Sequence, residues 1–120
     1  MKVIVSAQDA TPEALVDPRF ARAPWLIEMD TDTGEWIAHD NQANNEIAGG
    51  AGVQTAGTVV ELGVDAVVTG NIGPRAFQTL SGSGIQIFLV GVCSARQAVE
   101  RLVNGQLSTA KAESIAGHWL

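Results

Sequence analysis

The stretch DAVVTGNIGPRAFQTLSGSGIQIFLV, residues 65–90, decides the fold. Ala66-Val67-Val68-Thr69 is a short apolar run closed by Gly70, and Ile85 to Val90 is almost wholly apolar. Runs of this kind suit strands covered on both faces. Between them Asn71-Ile72-Gly73 turns the chain and Pro74 stands at a first helical position. Phe77 and Leu80 point inward, and Gly82-Ser83-Gly84 stops the helix. A strand, a short helix and a second strand in such close succession require a parallel pair joined by a right-handed crossover.

Working outward, residues 50–62 form a helix with Val53, Ala56 and Val60 as its apolar stripe, ended by Gly63. Ser94-Ala95-Arg96-Gln97 is a capping box. It opens a last helix to about Asn104 that buries Val99, Leu102 and Val103. Residues 24–30 alternate, 31–34 turn, and 35–40 return, so this stretch is a hairpin with Trp25 and Trp36 paired across it. Lys2 to Ala7 is the first strand. Residues 8–23, with Pro12 and Pro18, form a long loop, and 41–49 a second, polar one. The order β, β-hairpin, α, β, α, β, α predicts an α/β fold: a mixed five-stranded sheet with one antiparallel strand and three helices. The domain spans 1–107. Residues 108–120 are expected to be a tail that contributes little to the core, because Ser108-Thr109-Ala110-Lys111 breaks the apolar rhythm.

Composition bounds the function. The chain has 120 residues, 46% of them apolar, which suits one globular domain. No apolar run reaches the roughly 18 residues of a membrane span. The first residues read as a strand rather than a signal peptide. The lone Cys93 excludes an internal disulfide and fits a reducing, cytoplasmic compartment. A net charge of −6 argues against nucleic acid as the partner.

In the predicted topology, loop 8–23, loop 41–50, turn 71–74 and turn 91–94 meet at one edge of the sheet, where all three helices begin. Ligands of open α/β sheets bind beyond the strands' carboxyl ends, and helix N-termini favour anions. Arg19, Arg22, Arg75 and Arg96, four of the seven basic residues, fall on those segments. The edge suits a compact anion. It does not suit catalysis: the first strand carries no carboxylate for a two-metal centre, and no Ser-His-Asp signature is present.

Further motifs follow one another in order: Asp17-Pro18-Arg19-Phe20-Ala21-Arg22-Ala23, a Thr-Asp-Thr-Gly-Glu turn at 31–35, Gly49-Gly50-Ala51-Gly52-Val53, and Thr69-Gly70-Asn71-Ile72-Gly73-Pro74. Together with Ile85 and Ala98 to Leu107, they resemble the dinitrogenase iron–molybdenum cofactor-binding family over residues 2–107. That resemblance implies a ribonuclease-H-like fold and the binding, storage or transfer of a metal–sulfur cluster without turnover. It implies a cluster site at Arg19, Arg22, Asn41, Gly49, Gly50, Ala51, Gly52, Asn71, Ile72 and Gly73, and a protein donor or acceptor of unknown identity. Carriers of the iron–molybdenum cofactor are thought to use a loop histidine, and loop 41–49 has none. The resemblance therefore tilts towards the family's orange-protein branch and a molybdenum–copper sulfide cluster held by charge and hydrogen bonds. A FeMo-cofactor-like cluster is the alternative.

Three residues are weighed as metal ligands. Cys93 lies just before a helix N-terminus, where a thiolate is favoured, yet it also reads as an inert core residue. His39, near the top of its strand, is a ligand or a surface strand residue. His118 has no constellation around it. The Gly-rich 49–52 segment either wraps main-chain N–H groups around a ligand or is a plain helix entry. Two other functions stay open: a regulatory module binding a protein or a small phosphorylated ligand without metal, and, more remotely, a nucleotide-dependent enzyme.

Overall fold

Strand β1 (Lys2–Ala7) is the middle of the sheet, and its sequence explains why: Val3, Ile4 and Val5 have no exposed surface on either face. It pairs antiparallel with β2 (Trp25–Asp30) and parallel with β4 (Ala66–Thr69). β3 (Trp36–Asp40) lies outside β2, and β5 (Gln86–Leu89) lies parallel outside β4. The spatial order is β3-β2-β1-β4-β5. The mixed five-stranded sheet, with β2 running against the rest, is as the sequence predicts. These coordinates are a computed structural model, which describes residues 1–46 and 49–111.

Four α-helices occur among the described residues, not three: α1 (Gln42–Asn45), α2 (Ala51–Leu62), α3 (Pro74–Gly82) and α4 (Ala95–Val103), with a 3₁₀ turn at Phe20–Arg22. The additional one, α1, lies in the stretch expected to be a loop. Its single turn closes through Asn44 N and Asn45 N donating to Asn41 O, and with no apolar period of its own it is held by tertiary bonds, Arg22 Nη1 to Asn45 O and Asn44 Nδ2 to Thr58 Oγ1. Ile47 and Ala48 of that stretch lie outside the described residues. The three longer helices stop as expected, with Gly63, Gly84 and Gly105 at positive φ, and α4 starts as expected with a capping box at Ser94 and Gln97.

The sheet separates two apolar clusters. Val3, Val5, Ile27, Met29 and Val68 face α4 through Ala95, Ala98 and Val99. Ile4, Leu26, Val67 and Ile87 face α2 and α3 through Ala56, Val59, Ala76 and Leu80, and Phe20 joins them. The helix faces differ in part from the predicted stripes. In α2 Ala51, Thr55, Ala56 and Val59 are buried while Val53 is 40% exposed, and in α4 Val103 is 57% exposed. α2 turns its small residues inward because α3 lies close against it, where a Cβ on Gly52 would meet Ala76 Cβ at 3.4 Å. Thr55 is admitted to the core because its hydroxyl donates to Asn41 Oδ1.

Two further expectations need correction. Trp25 stands opposite Asp40 and Trp36 opposite Met29, so the tryptophans do not pair: the hairpin register is set by the tight 31–35 turn. The start of the tail is also not idle. Thr109 bridges Phe88 on the outer edge of β5, Ala110 N donates to Ile87 O at 2.6 Å, and Ala110 packs on the α2/α3 cluster. Residues 112–120, including His118, lie outside the described residues.

Candidate functional site

Loop 8–23 leaves β1 and crosses the top of the sheet, stitched to it by buried groups. Ser6 and Thr69, both fully buried, bring their hydroxyls to 2.7 Å of each other at the ends of β1 and β4. Ser6 Oγ also donates to Asp17 O, and Asp17 N donates to Ser6 O, each at 2.8 Å. Pro18 then passes directly over Gly70: a Cβ there would sit 2.6 Å from Pro18 Cα. Only glycine leaves room for that crossing. Beyond it Arg19 bridges Asn71, and Phe20 N donates to Asn71 O at 3.1 Å. Phe20, 1% exposed, anchors the turn in the α2/α3 cluster.

The result is a cleft of about 180 Å³ lined by Arg19, Phe20, Ala21, Arg22, Asn71, Ile72 and Gly73. The predicted site residues Arg19, Arg22, Asn71, Ile72 and Gly73 are thus brought together. Gly52 does not line the cleft but lies behind it, where an added Cβ would stand 3.4 Å from Ala76 Cβ and 3.9 Å from Ala21 Cβ, so the first turns of α2 and α3 meet beside the 3₁₀ turn. Gly50 caps α2 at φ +79°, which favours glycine, and neither Gly50 nor Gly73 offers a side-chain cap. Neither helix has an acidic residue in its first turn, and α3 carries the exposed Arg75 there. A cation at that end opposes the helix dipole by roughly 0.3–1 kcal/mol unless an anion joins it.

The third helix N-terminus differs. In α4 the main-chain N–H groups of Ala95, Arg96 and Gln97 donate to Ala14 O, Pro12 O and Ser94 Oγ. Arg96 forms an ion pair with Glu13 at 3.3 Å. The predicted anion edge is therefore two-sided, closed over α4 and uncapped over α2 and α3.

The remaining predicted residues hold the cleft's frame or lie elsewhere. Asn41, 1% exposed, donates from Nδ2 to Ala23 O and accepts at Oδ1 from Asn44 and Thr55. Its amide is engaged within the protein and positions the loops. Arg22 Nη1 donates to Asn45 O at 2.7 Å and Asn45 Nδ2 returns to Arg22 O, so Arg22 also clamps α1. Gly49 and Ala51 flank Gly50 at the α2 entry. His39 Nε2 lies 3.0 Å from Glu28 Oε1 on β2. Cys93 is buried in the α4 cluster, across the sheet from the cleft, and burial pushes its thiol above the ordinary value. The thiolate expected before a helix N-terminus is not stabilised there, because that N-terminus is already occupied. Sequence reasoning passed over Asp17, 2% exposed, whose Oδ1 accepts from Arg19 N and Nε and so orients that guanidinium. It passed over Ser6 and Thr69 as well, since a buried hydroxyl pair has no sequence signature. Among the described residues no three His, Cys, Asp or Glu side chains converge as a metal site.

A larger cavity of about 620 Å³ lies at the opposite end, lined by Glu28, Asp30 and Glu35. Its carboxylates make it unsuited to an anion.

A family model described as dinitrogenase iron–molybdenum cofactor matches residues 1–105. The orange protein of Desulfovibrio gigas, solved in its apo form, is similar with a TM-score of 0.86 and 36% identity, over 91% of this chain and 92% of that one. A NifB-like protein from Thermotoga matches with a TM-score of 0.79 and 26% identity, over 90% and 91%. An uncharacterised protein of Methanocaldococcus jannaschii is 25% identical over 95 residues, 77% of this chain and 80% of its own.

Proposed function

The chain belongs to the dinitrogenase iron–molybdenum cofactor family, and from that premise we propose that it holds or carries an anionic, molybdenum-containing metal–sulfur cluster without catalytic turnover. The cargo sits in the cleft between Arg19–Arg22 and Asn71–Gly73. The observation that carries this reading is the asymmetry of the helix N-termini. α4 is closed by the protein's own acceptors, while α2 and α3 converge without a side-chain cap near Arg19, Arg22 and Arg75, Arg19 being oriented by Asp17 and Arg22 bonded to Asn45 O. A thiometallate brings its own sulfide ligands, so the protein need supply only positive charge and N–H donors, each charge-assisted bond contributing roughly 1.5–3 kcal/mol. A volume of about 180 Å³ suits a compact inorganic anion better than an organic ligand, whose sites run to roughly 300–1,000 Å³. Likeness to the orange protein favours a molybdenum–copper sulfide over a FeMo-cofactor-like cluster. Such a cargo implies a protein donor or acceptor and a reducing, cytoplasmic setting.

The test is reconstitution with tetrathiomolybdate and copper(I), followed by gel filtration, a visible spectrum and elemental analysis. Molybdenum and copper should co-elute with the protein. Arg19→Ala with Arg75→Ala should lose most of them, and the residual retention should depend less on salt than that of the unmutated protein. Unchanged retention in the double variant would overturn this mechanism.

A further inference from the structure

The two edges of the sheet are treated differently. Thr109 and Ala110 pair with the outer side of β5, whereas among the described residues nothing pairs with the outer side of β3. The bonds from Asp30 N to Glu35 O and from Asn41 N to Pro24 O, with the unbroken β2–β3 register, turn the main-chain groups of Glu35, Ile37, His39 and Asn41 towards β2, since antiparallel ladders alternate. Those of Trp36, Ala38 and Asp40 therefore face outward. Edges are commonly blunted by proline, lysine or a bulge. β3 has none of these, and carries Trp36 at 43% and Ile37 at 56% exposure.

Charge selects the occupant. Lys2, Glu28, Asp30, Glu35 and Ile37 line the cavity of about 620 Å³ beside this edge, on the sheet face that Ile37 shares with Glu28. That is three carboxylates against one ammonium, in a chain of net charge −6. A second copy would bring the same carboxylates to the joint and repel. Trp36 and Ala38 present an apolar surface on the other face, beside Met29. We propose that β3 accepts, by strand addition, an extended segment of a partner protein that alternates basic with apolar residues, its basic side chains over the Glu28–Asp30–Glu35 cavity and its apolar ones beside Trp36. This goes beyond the cargo reading and does not depend on it, because the edge lies on the far side of the hairpin from the cleft.

Cargo-free protein serves for the test. The probe is an acetylated, amidated octapeptide alternating lysine with valine, and its counterpart alternates glutamate with valine. Amide exchange followed by NMR should slow at Trp36, Ala38 and Asp40 with the lysine peptide, and the binding should weaken with salt. Ala38→Pro removes one outward N–H and spares the β2 ladder, so it should weaken binding roughly tenfold or more. No binding, protection at other amides, equal binding of the glutamate peptide, or protection of the same amides by concentration-dependent dimerisation without peptide would each overturn the proposal. The exchange map and the peptide pair on the unmutated protein decide the question even if the proline variant does not fold.

Discussion

Replacing Gly70 by alanine probes how firmly loop 17–22 is held over the sheet. The added Cβ would stand 2.6 Å from Pro18 Cα, 3.0 Å from its Cβ and 3.1 Å from its carbonyl oxygen. These are backbone or ring atoms, so no flexible side chain can swing aside. Gly70 is not among the residues at positive φ, so alanine adds no dihedral strain and the effect is purely steric. The loop must lift by about 1 Å to reach ordinary contact. It is fastened on both sides, by Asp17 N–Ser6 O and Ser6 Oγ–Asp17 O before the crossing and Phe20 N–Asn71 O after it. Overpacking of this kind costs about 1–3 kcal/mol, and stretching one of the flanking bonds adds roughly 0.5–1.5 kcal/mol. We expect a loss of about 2–3 kcal/mol in guanidinium denaturation, a Tm lower by about 10 °C, and faster exchange of the Phe20 amide. Arg19 and Arg22 ride on the same segment, so retention of reconstituted molybdenum should fall too. A stability change under about 0.5 kcal/mol with the Phe20 amide still protected would refute the claim that this crossing sets the cleft.

Gly57→Ala is the matching control: nothing lies within 4 Å of its Cβ position in α2, so stability should rise by about 0.5–1 kcal/mol, read by the same denaturation. Truncation after Leu107 removes the Ala110 N–Ile87 O bond and uncovers Phe88; the expected loss is about 1–2 kcal/mol, and an unchanged thermal midpoint would show that 109–110 contribute nothing. Cys93 is raised from 9.0 by burial, so its contribution is fully present below that pH and is lost as pH climbs past it towards the folded value. Denaturation midpoints between pH 7 and 10 should therefore fall at the alkaline end, and Cys93→Ala should flatten that fall. The same variant should retain cluster as the unmutated protein does, since Cys93 lies across the sheet; loss of metal in it would contradict the cleft assignment.

Strand order, direction and the convergence of loops at one edge were legible because they follow from local patterns: two apolar runs around a proline-started helix, a turn at 31–35, glycines after helices. What escaped depends on partners remote in sequence. Arg96 looked like part of the anion edge until Glu13 met it across the loop. Cys93 sits just past a strand end, and which face of the sheet it joins depends on how the turn after β5 is drawn towards Val16, whose N–H donates to Cys93 O. Thr55 is not in the predicted stripe of Val53, Ala56 and Val60, since the acceptor that admits it to the core, Asn41, lies in another element. α1 is invisible to periodicity since a single turn has no period. Arg19, Arg22 and the 71–74 turn were placed at one edge because turn chemistry and topology suffice to place main-chain segments, while Asn71 and Gly73 as site residues came from the family resemblance.

The seam between Arg19 and Asn71 has a consequence for how the protein comes into being on the ribosome. One wall of the cleft is made early, but it is stitched to Thr69, Gly70 and Asn71, residues that emerge only after β2, β3 and all of α2. Until then β1 has a partner on one side only, and the 3₁₀ turn has no sheet end to rest on. Long-range pairings of this kind form slowly, because the intervening chain must be closed first. No nascent fragment ending before β4 contains a cleft. On the function proposed above, a chain that has not yet reached β4 has no place for the cluster.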